Sequence, residues 1–335
     1  MKRWTVVLLA LLFVIFIFVI KSIFDNSGDI DHTLSKGYVF LDEKYKDGIY
    51  QDKYLKYVYP GEEIYCPIEG CNVTYRVLDA YFGVLFIKEL GVNSKDLKQI
   101  DEANRILGSL LALWQKERIY NTKKSTLIDK DGIALDTYCI LGYIYSDKEM
   151  AKKTLIYLQG NKWLADNYYR EDAWRNVADE SWCVRLLIRT NELEVQRIKD
   201  LIGKKIEESE KMVSSKADIS TKVATLVHSI YLIYDFSKTY KDSSFDSNLK
   251  EYQDYVYLSF DKIKNDDLLL ANALDSLAYS KYDKSKLQEM ADLLILRQKI
   301  DGGWYSGEDL SRDNLSVFTT IRVITSLLRY KGLEA

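Results

Sequence analysis

Two kinds of helix alternate along this chain. One kind is apolar nearly all round: Val73–Leu90, Asp136–Tyr145, Asp179–Thr190, Ser220–Phe236, Asp267–Tyr279 and Leu315–Tyr330. The other kind is amphipathic: Ser94–Lys116, Lys148–Leu158, Glu192–Met212, Phe245–Phe260 and Lys284–Gln298. In Ser94–Lys116 the apolar residues Leu97, Ile100, Ala103, Ile106, Leu107, Leu110 and Leu111 recur at helical spacing. A helix that is apolar all round must be enclosed, and an amphipathic one can cover it. The pattern therefore predicts an all-α fold of two layers, inner and outer helices. No strand pattern of any length competes.

The chain opens differently. Lys2-Arg3 precede Trp4–Ile20, an unbroken apolar run closed by Lys21. Residues 1–21 read as an uncleaved signal anchor in the lipid bilayer, with the positive end inside and the bulk of the chain extracytoplasmic. The alternative, a cleaved signal peptide, leaves the domain in the same compartment. Residues 22–60 read as a polar linker followed by a Tyr- and Lys-rich arm, Leu34–Tyr59, that supplies either a first outer helix or an irregular segment. Residues 61–335 then form the helical domain.

The seam between the last outer and last inner helix is Gln298-Lys-Ile-Asp-Gly-Gly-Trp304. Gly302 and Gly303 can take positive φ after a helix. Trp304 can seal the joint, and Gln298 can satisfy backbone groups at a neighbouring helix end. Leu158–Trp163, with Gln159, is a weaker copy. Trp114-Gln115 and Gln253 are looser ones. Roughly 44 residues, or about twice that, separate successive glutamines, which signals stacked supersecondary units. Gln298–Trp304 resembles the Gln-x3-Gly-x-Trp repeat of the squalene cyclases, relatives of the protein prenyltransferases. The resemblance implies an (α/α)6-type toroid of inner and outer helices over about Val73–Leu333. It does not carry either family's chemistry. The Asp-x-Asp-Asp acid of the cyclases is missing, with Asn265-Asp266-Asp267 the nearest string. Asp136-Thr-Tyr-Cys139 has one residue too many for the prenyltransferase zinc set.

Among 335 residues the net charge is −3 and basic residues are scattered, which argues against nucleic acid as a partner. Only two prolines interrupt the helices, and tyrosine is abundant at 26. Cys66 and Cys71 bracket a short turn that a disulfide can close. Cys139 and Cys183, on successive inner helices, can face each other or stay as buried thiols. Asn72 and Asn314 begin glycosylation sequons.

In such a ring the inner N-termini gather at one face. Asp136, Asp179, Glu180, Asp266 and Asp267 fall there, either as a ring of carboxylates for acid–base work on a glycosidic bond or as caps that offset helix dipoles. Arg76, Asp79, Arg185, Asp275 and Arg322 lie mid-helix. They either line an axial cavity or pair across helices, Arg322 with Asp79 or Asp275. Asp79, Asp136, Asp179, Glu180 and Asp275 are thus the candidate catalytic residues. Arg76, Tyr138, Trp174, Trp182, Arg185 and Arg322 are the candidate ligand-binding residues, for a glycan or other polymer. His228 reads as a core residue. No metal or cofactor is expected.

Overall fold

A computed structural model describes residues 30–46, 49–50, 87, 139–140, 142–160, 173–304 and 317–333. In chain order they form α1 (Ile30–Lys44), β1 (Tyr45–Lys46), β2 (Ile49–Tyr50), α2 (Lys148–Gly160), α3 (Ala173–Thr190), α4 (Val195–Ser214), α5 (Ile219–Tyr240), α6 (Asp246–Leu258), α7 (Phe260–Ile263), α8 (Asp267–Tyr279), α9 (Lys284–Arg297) and α10 (Val317–Gly332). The fold is all-α apart from a two-residue antiparallel ladder, β1 with β2. Among the described residues no helix is long and apolar enough to cross a membrane. The run Trp4–Ile20, the helices expected at Val73–Leu90 and Ser94–Lys116, and Cys66, Cys71, Asn72, Arg76, Asp79, Asp136, Tyr138 and Asn314 lie outside the described residues.

Two layers are present. α3, α5, α8 and α10 pack each on the next, and α4, α6 and α9 each lie against two consecutive members of that row. Burial follows the sequence pattern. On α8, Leu269, Leu270, Ala271, Ala273, Leu274, Leu277 and Ala278 are all buried, covering most of the circumference. On α9 only Leu287, Met290, Ala291, Leu294 and Ile295 are buried, one stripe at helical spacing. Each buried leucine of this kind contributes about 2–3 kcal/mol relative to exposure.

Neighbouring inner helices α5 and α8 run parallel. Tyr231 with Asp275, and Asp235 with Tyr279, are hydrogen-bonded pairs that both span 44 residues. Equal offsets at successive turns require α5 and α8 to point the same way. The helical turn at 142–145 and then α3, α5 and α8 are followed closely by Ser146, Asn191, Lys241 and Lys281, at φ 52°, 55°, 55° and 57°. These are left-handed closures without glycine, and each reverses the chain toward the outer layer.

The seam at Gln298 works as a latch. Gln298 N donates to Ile295 O, which leaves Leu294 O free for the Trp304 indole Nε1 at 2.7 Å. The Gln298 amide donates to Thr33 O at 2.7 Å and Gly302 O at 2.9 Å. Gly302 sits at φ 88°, and a Cβ there would lie 2.2 Å from Lys36 O. Trp304 is fully buried. The latch thus ties α9 and α10 to α1, a helix that starts at Ile30, inside the stretch expected to be polar linker. Gly37 lets α1 approach α10, since a Cβ there would meet Ile324 Cδ1 at 2.9 Å. Lys331 pairs with Asp31 at the other end of this contact. Gln253, on α6, donates to Ser280 O at 3.2 Å and Ser280 Oγ at 2.8 Å, closing the end of α8.

One boundary differs in a way that bears on the site. α3 starts at Ala173, not Asp179. No proline or glycine interrupts residues 173–178, so the helix extends back past the acidic pair. Asp179 and Glu180 lie well inside α3 and cap nothing at its N-terminus.

Candidate functional site

Each inner helix carries one stripe of polar and aromatic residues spaced three and then four apart. α3 contributes Trp182, Arg185 and Arg189, and α5 contributes His228, Tyr231 and Asp235. α8 contributes Asn272, Asp275 and Tyr279, and α10 contributes Arg322, Thr325 and Arg329. His228, Asn272, Tyr279, Arg322 and Arg329 are half-buried, so the stripes meet at a surface that solvent reaches in part.

Two ion pairs organise this inner face. Arg185 Nε donates to Asp235 Oδ2 at 2.6 Å, and Arg185 Nη2 donates to the Tyr143 hydroxyl at 3.3 Å. Tyr279 donates to the other oxygen of Asp235, and its hydroxyl lies 3.2 Å from that of Tyr143. The four groups close a ring of hydrogen bonds. Arg185 is also caged by aromatics, with Cζ 4.1 Å from the Trp182 ring centroid, 4.6 Å from Tyr143, 4.8 Å from Tyr231 and 5.5 Å from Tyr279. Burial alone would lower the Arg185 pKa, but Asp235, Tyr143 and Tyr279 outweigh it and hold the guanidinium above its ordinary value.

The second pair joins α8 to α10. Arg329 Nε lies 2.6 Å from Asp275 Oδ1, an ion pair in which the N–H is not aligned on the oxygen. Tyr231 donates to Asp275 Oδ2. Arg329 Cζ stands 4.5 Å from the Tyr279 ring, which joins the two networks. Burial raises the Tyr231 and Tyr279 phenols well above their usual value, and the carboxylates they donate to add to the rise. Asp235 therefore has both oxygens hydrogen-bonded, Asp275 accepts at Oδ2 and meets Arg329 at Oδ1 by charge alone, and neither phenol ionises in the physiological range.

His228 is held neutral. Burial, then the charges of Arg322 and Arg185, push its pKa down to about 3. Among the described residues no group of three or more His, Cys, Asp and Glu could hold a metal ion. At the rim, Asp266 caps α8 by accepting from Leu269 N at 3.0 Å. Asp267 pairs with Arg297 at 2.8 Å, and burial raises its pKa despite that partner.

Of the candidates read from sequence, Trp182, Arg185, Asp275 and Arg322 come together on this face. Asp275 is paired with Arg329, not with Arg322, which stands about two turns earlier on α10. Trp174, Asp179 and Glu180 are placed only as α3 backbone. Asp235, Tyr231, Tyr143, Tyr279 and Arg329 belong to the site without having been singled out. One helical turn forward from Asp275 lies Tyr279, and two turns forward from Arg322 lies Arg329, so the helical spacing along each helix points to both. Cys139 and Cys183 form a buried disulfide with Cα atoms 4.8 Å apart, joining α3 to the preceding helical turn beside Tyr143. No protein-family model, no curated protein and no solved structure matches this chain.

Proposed function

We propose that this chain is a non-catalytic binding domain, an α/α toroid tethered outside the cell membrane by its N-terminal apolar run. It takes a glycan or similar polymer on the inner face of the helical array. The observation that carries the reading is the pairing of Asp235 and Asp275, each with an arginine and a tyrosine. A glycosidase needs one carboxyl free to donate a proton and a second free to attack or to activate water. Here Arg185 and Tyr279 occupy one carboxylate, and Tyr231 and Arg329 occupy the other. The parallel α5 and α8, and the two glutamines Gln298 and Gln253 that close helix ends, support a toroid. The Cys139–Cys183 bond supports an extracytoplasmic site, because disulfides persist in oxidising compartments. Isoprenoid chemistry calls for an apolar chamber, and the charged inner face argues against it.

The test is retention of the full-length chain, in non-ionic detergent, on a panel of immobilised polysaccharides, with release by the free polymer. Retention on at least one polymer, without change in its chain length, is the expected result. No retention on any of them defeats the proposal.

A further inference from the structure

The Arg329 guanidinium is held by charge and by a ring. Its Nε is buried against Asp275, and its Cζ lies 4.5 Å from the Tyr279 ring centroid. None of the hydrogen bonds among the described residues uses its terminal amines, and 14% of the side chain stays exposed. A guanidinium whose terminal amines take no hydrogen bond from the described residues has two N–H groups to offer, the geometry that matches a carboxylate or sulfate. On the described face Asp235 has both oxygens hydrogen-bonded, and Asp275 is held by Tyr231 at Oδ2 and by the charge of Arg329 at Oδ1. Arg189 and Arg322 share the stripe but are engaged in contacts of their own.

The surroundings suit a sugar that carries such a group. Tyr234 and Tyr279 are half-buried neighbours, with ring centroids 5.3 Å apart and planes edge to face at 70°, and Arg329 lies over the Tyr279 ring, which leaves Tyr234 as the aromatic surface beside the guanidinium. His228, Arg185 and Arg322 stand at the adjacent levels, where burial first and then the two arginine charges disfavour a protonated His228.

We infer that the inner face selects an acidic glycan, holding a carboxylate or sulfate on the terminal amines of Arg329 and packing the sugar against Tyr234. The inference rests on the binding reading above and names the ligand class that reading leaves open.

The experiment is fluorescence anisotropy with labelled oligogalacturonate and a labelled malto-oligosaccharide of equal length, using the full-length chain in non-ionic detergent. The acidic probe is expected to bind about tenfold or more tightly than the neutral one and to weaken as salt is added. Arg329→Gln should remove that preference. Because it leaves Asp275 without its counter-ion, Arg329→Gln with Asp275→Asn is measured beside it, and far-UV circular dichroism checks that each variant folds. Equal binding of the two probes, or a preference unchanged in the folded double variant, overturns the acidic class and leaves a binding domain standing. Binding of neither probe, nor of any polymer on the panel, overturns both.

Discussion

Arg185→Met is the perturbation that reads the inner face most clearly. It removes the partner at 2.6 Å from Asp235 and the cation enclosed by four rings. Leaving one member of a buried ion pair uncompensated costs about 3–5 kcal/mol. Loss of the desolvated cation–π contacts adds up to about 2 kcal/mol, part of which the methionine side chain recovers by filling the cage. The net expectation is a loss of about 4 kcal/mol. Asp235→Leu should cost a similar amount, since it strands the arginine instead. The double variant strands neither charge, so its cost should fall short of the sum by about 2–3 kcal/mol. The assay is urea denaturation of all four proteins followed by far-UV circular dichroism, with equal m-values required before midpoints are compared. If either single change costs less than about 1 kcal/mol, or if the two add within about 0.5 kcal/mol, the paired inner face is refuted.

Other outcomes follow from the same contacts. Trp304→Ala should cost about 3–5 kcal/mol, read by thermal melting, because it empties a buried ring site and orphans Leu294 O. Lys241→Gly and Lys281→Gly should each raise stability by up to about 1 kcal/mol, since both residues hold positive φ and are exposed. A variant at either position that melts lower would contradict the left-handed closures. Peptide mapping without reductant should recover Cys139 linked to Cys183, and removing the bond should cost about 3–4 kcal/mol for a loop of 44 residues. His228 has a folded pKa near 3 against 6.5 unperturbed, so the unfolded chain takes up its proton first as pH falls. Stability should therefore drop as pH falls below 6.5, before the carboxylates near 3.8 respond, and His228→Gln should remove that early loss.

The layers were legible because helix periodicity reports burial directly. The apolar circumference of α8 and the single stripe of α9 read alike in sequence and structure, and α8 ends where the pattern ends. The latch was legible because Gly-Gly-Trp after a glutamine has few other uses. The start of α3 was not, because the acidic pair Asp179-Glu180 resembles a helix N-terminus while nothing before it breaks a helix. The left-handed closures were also hidden, since Asn191, Lys241 and Lys281 do what glycine usually marks. Half of the inner face was missed for a related reason. Asp235 and Arg329 lie near helix ends, where a charge is ordinarily explained by solvent or by the dipole. Only the parallel register, which pairs Asp235 with Tyr279 and Asp275 with Tyr231, draws them inward. Which arginine meets Asp275 depends on the axial offset between α8 and α10, and no spacing within one helix encodes that offset.

The most direct measurement is a count of reducing and unsaturated sugar ends after the full-length chain has been incubated with a polymer it retains, from acid to neutral pH. The account predicts sustained binding with no new ends, because Asp235 and Asp275, the inner-face carboxylates among the described side chains, are committed to arginine and tyrosine partners. New ends that vanish in Asp235→Asn or Asp275→Asn would contradict it.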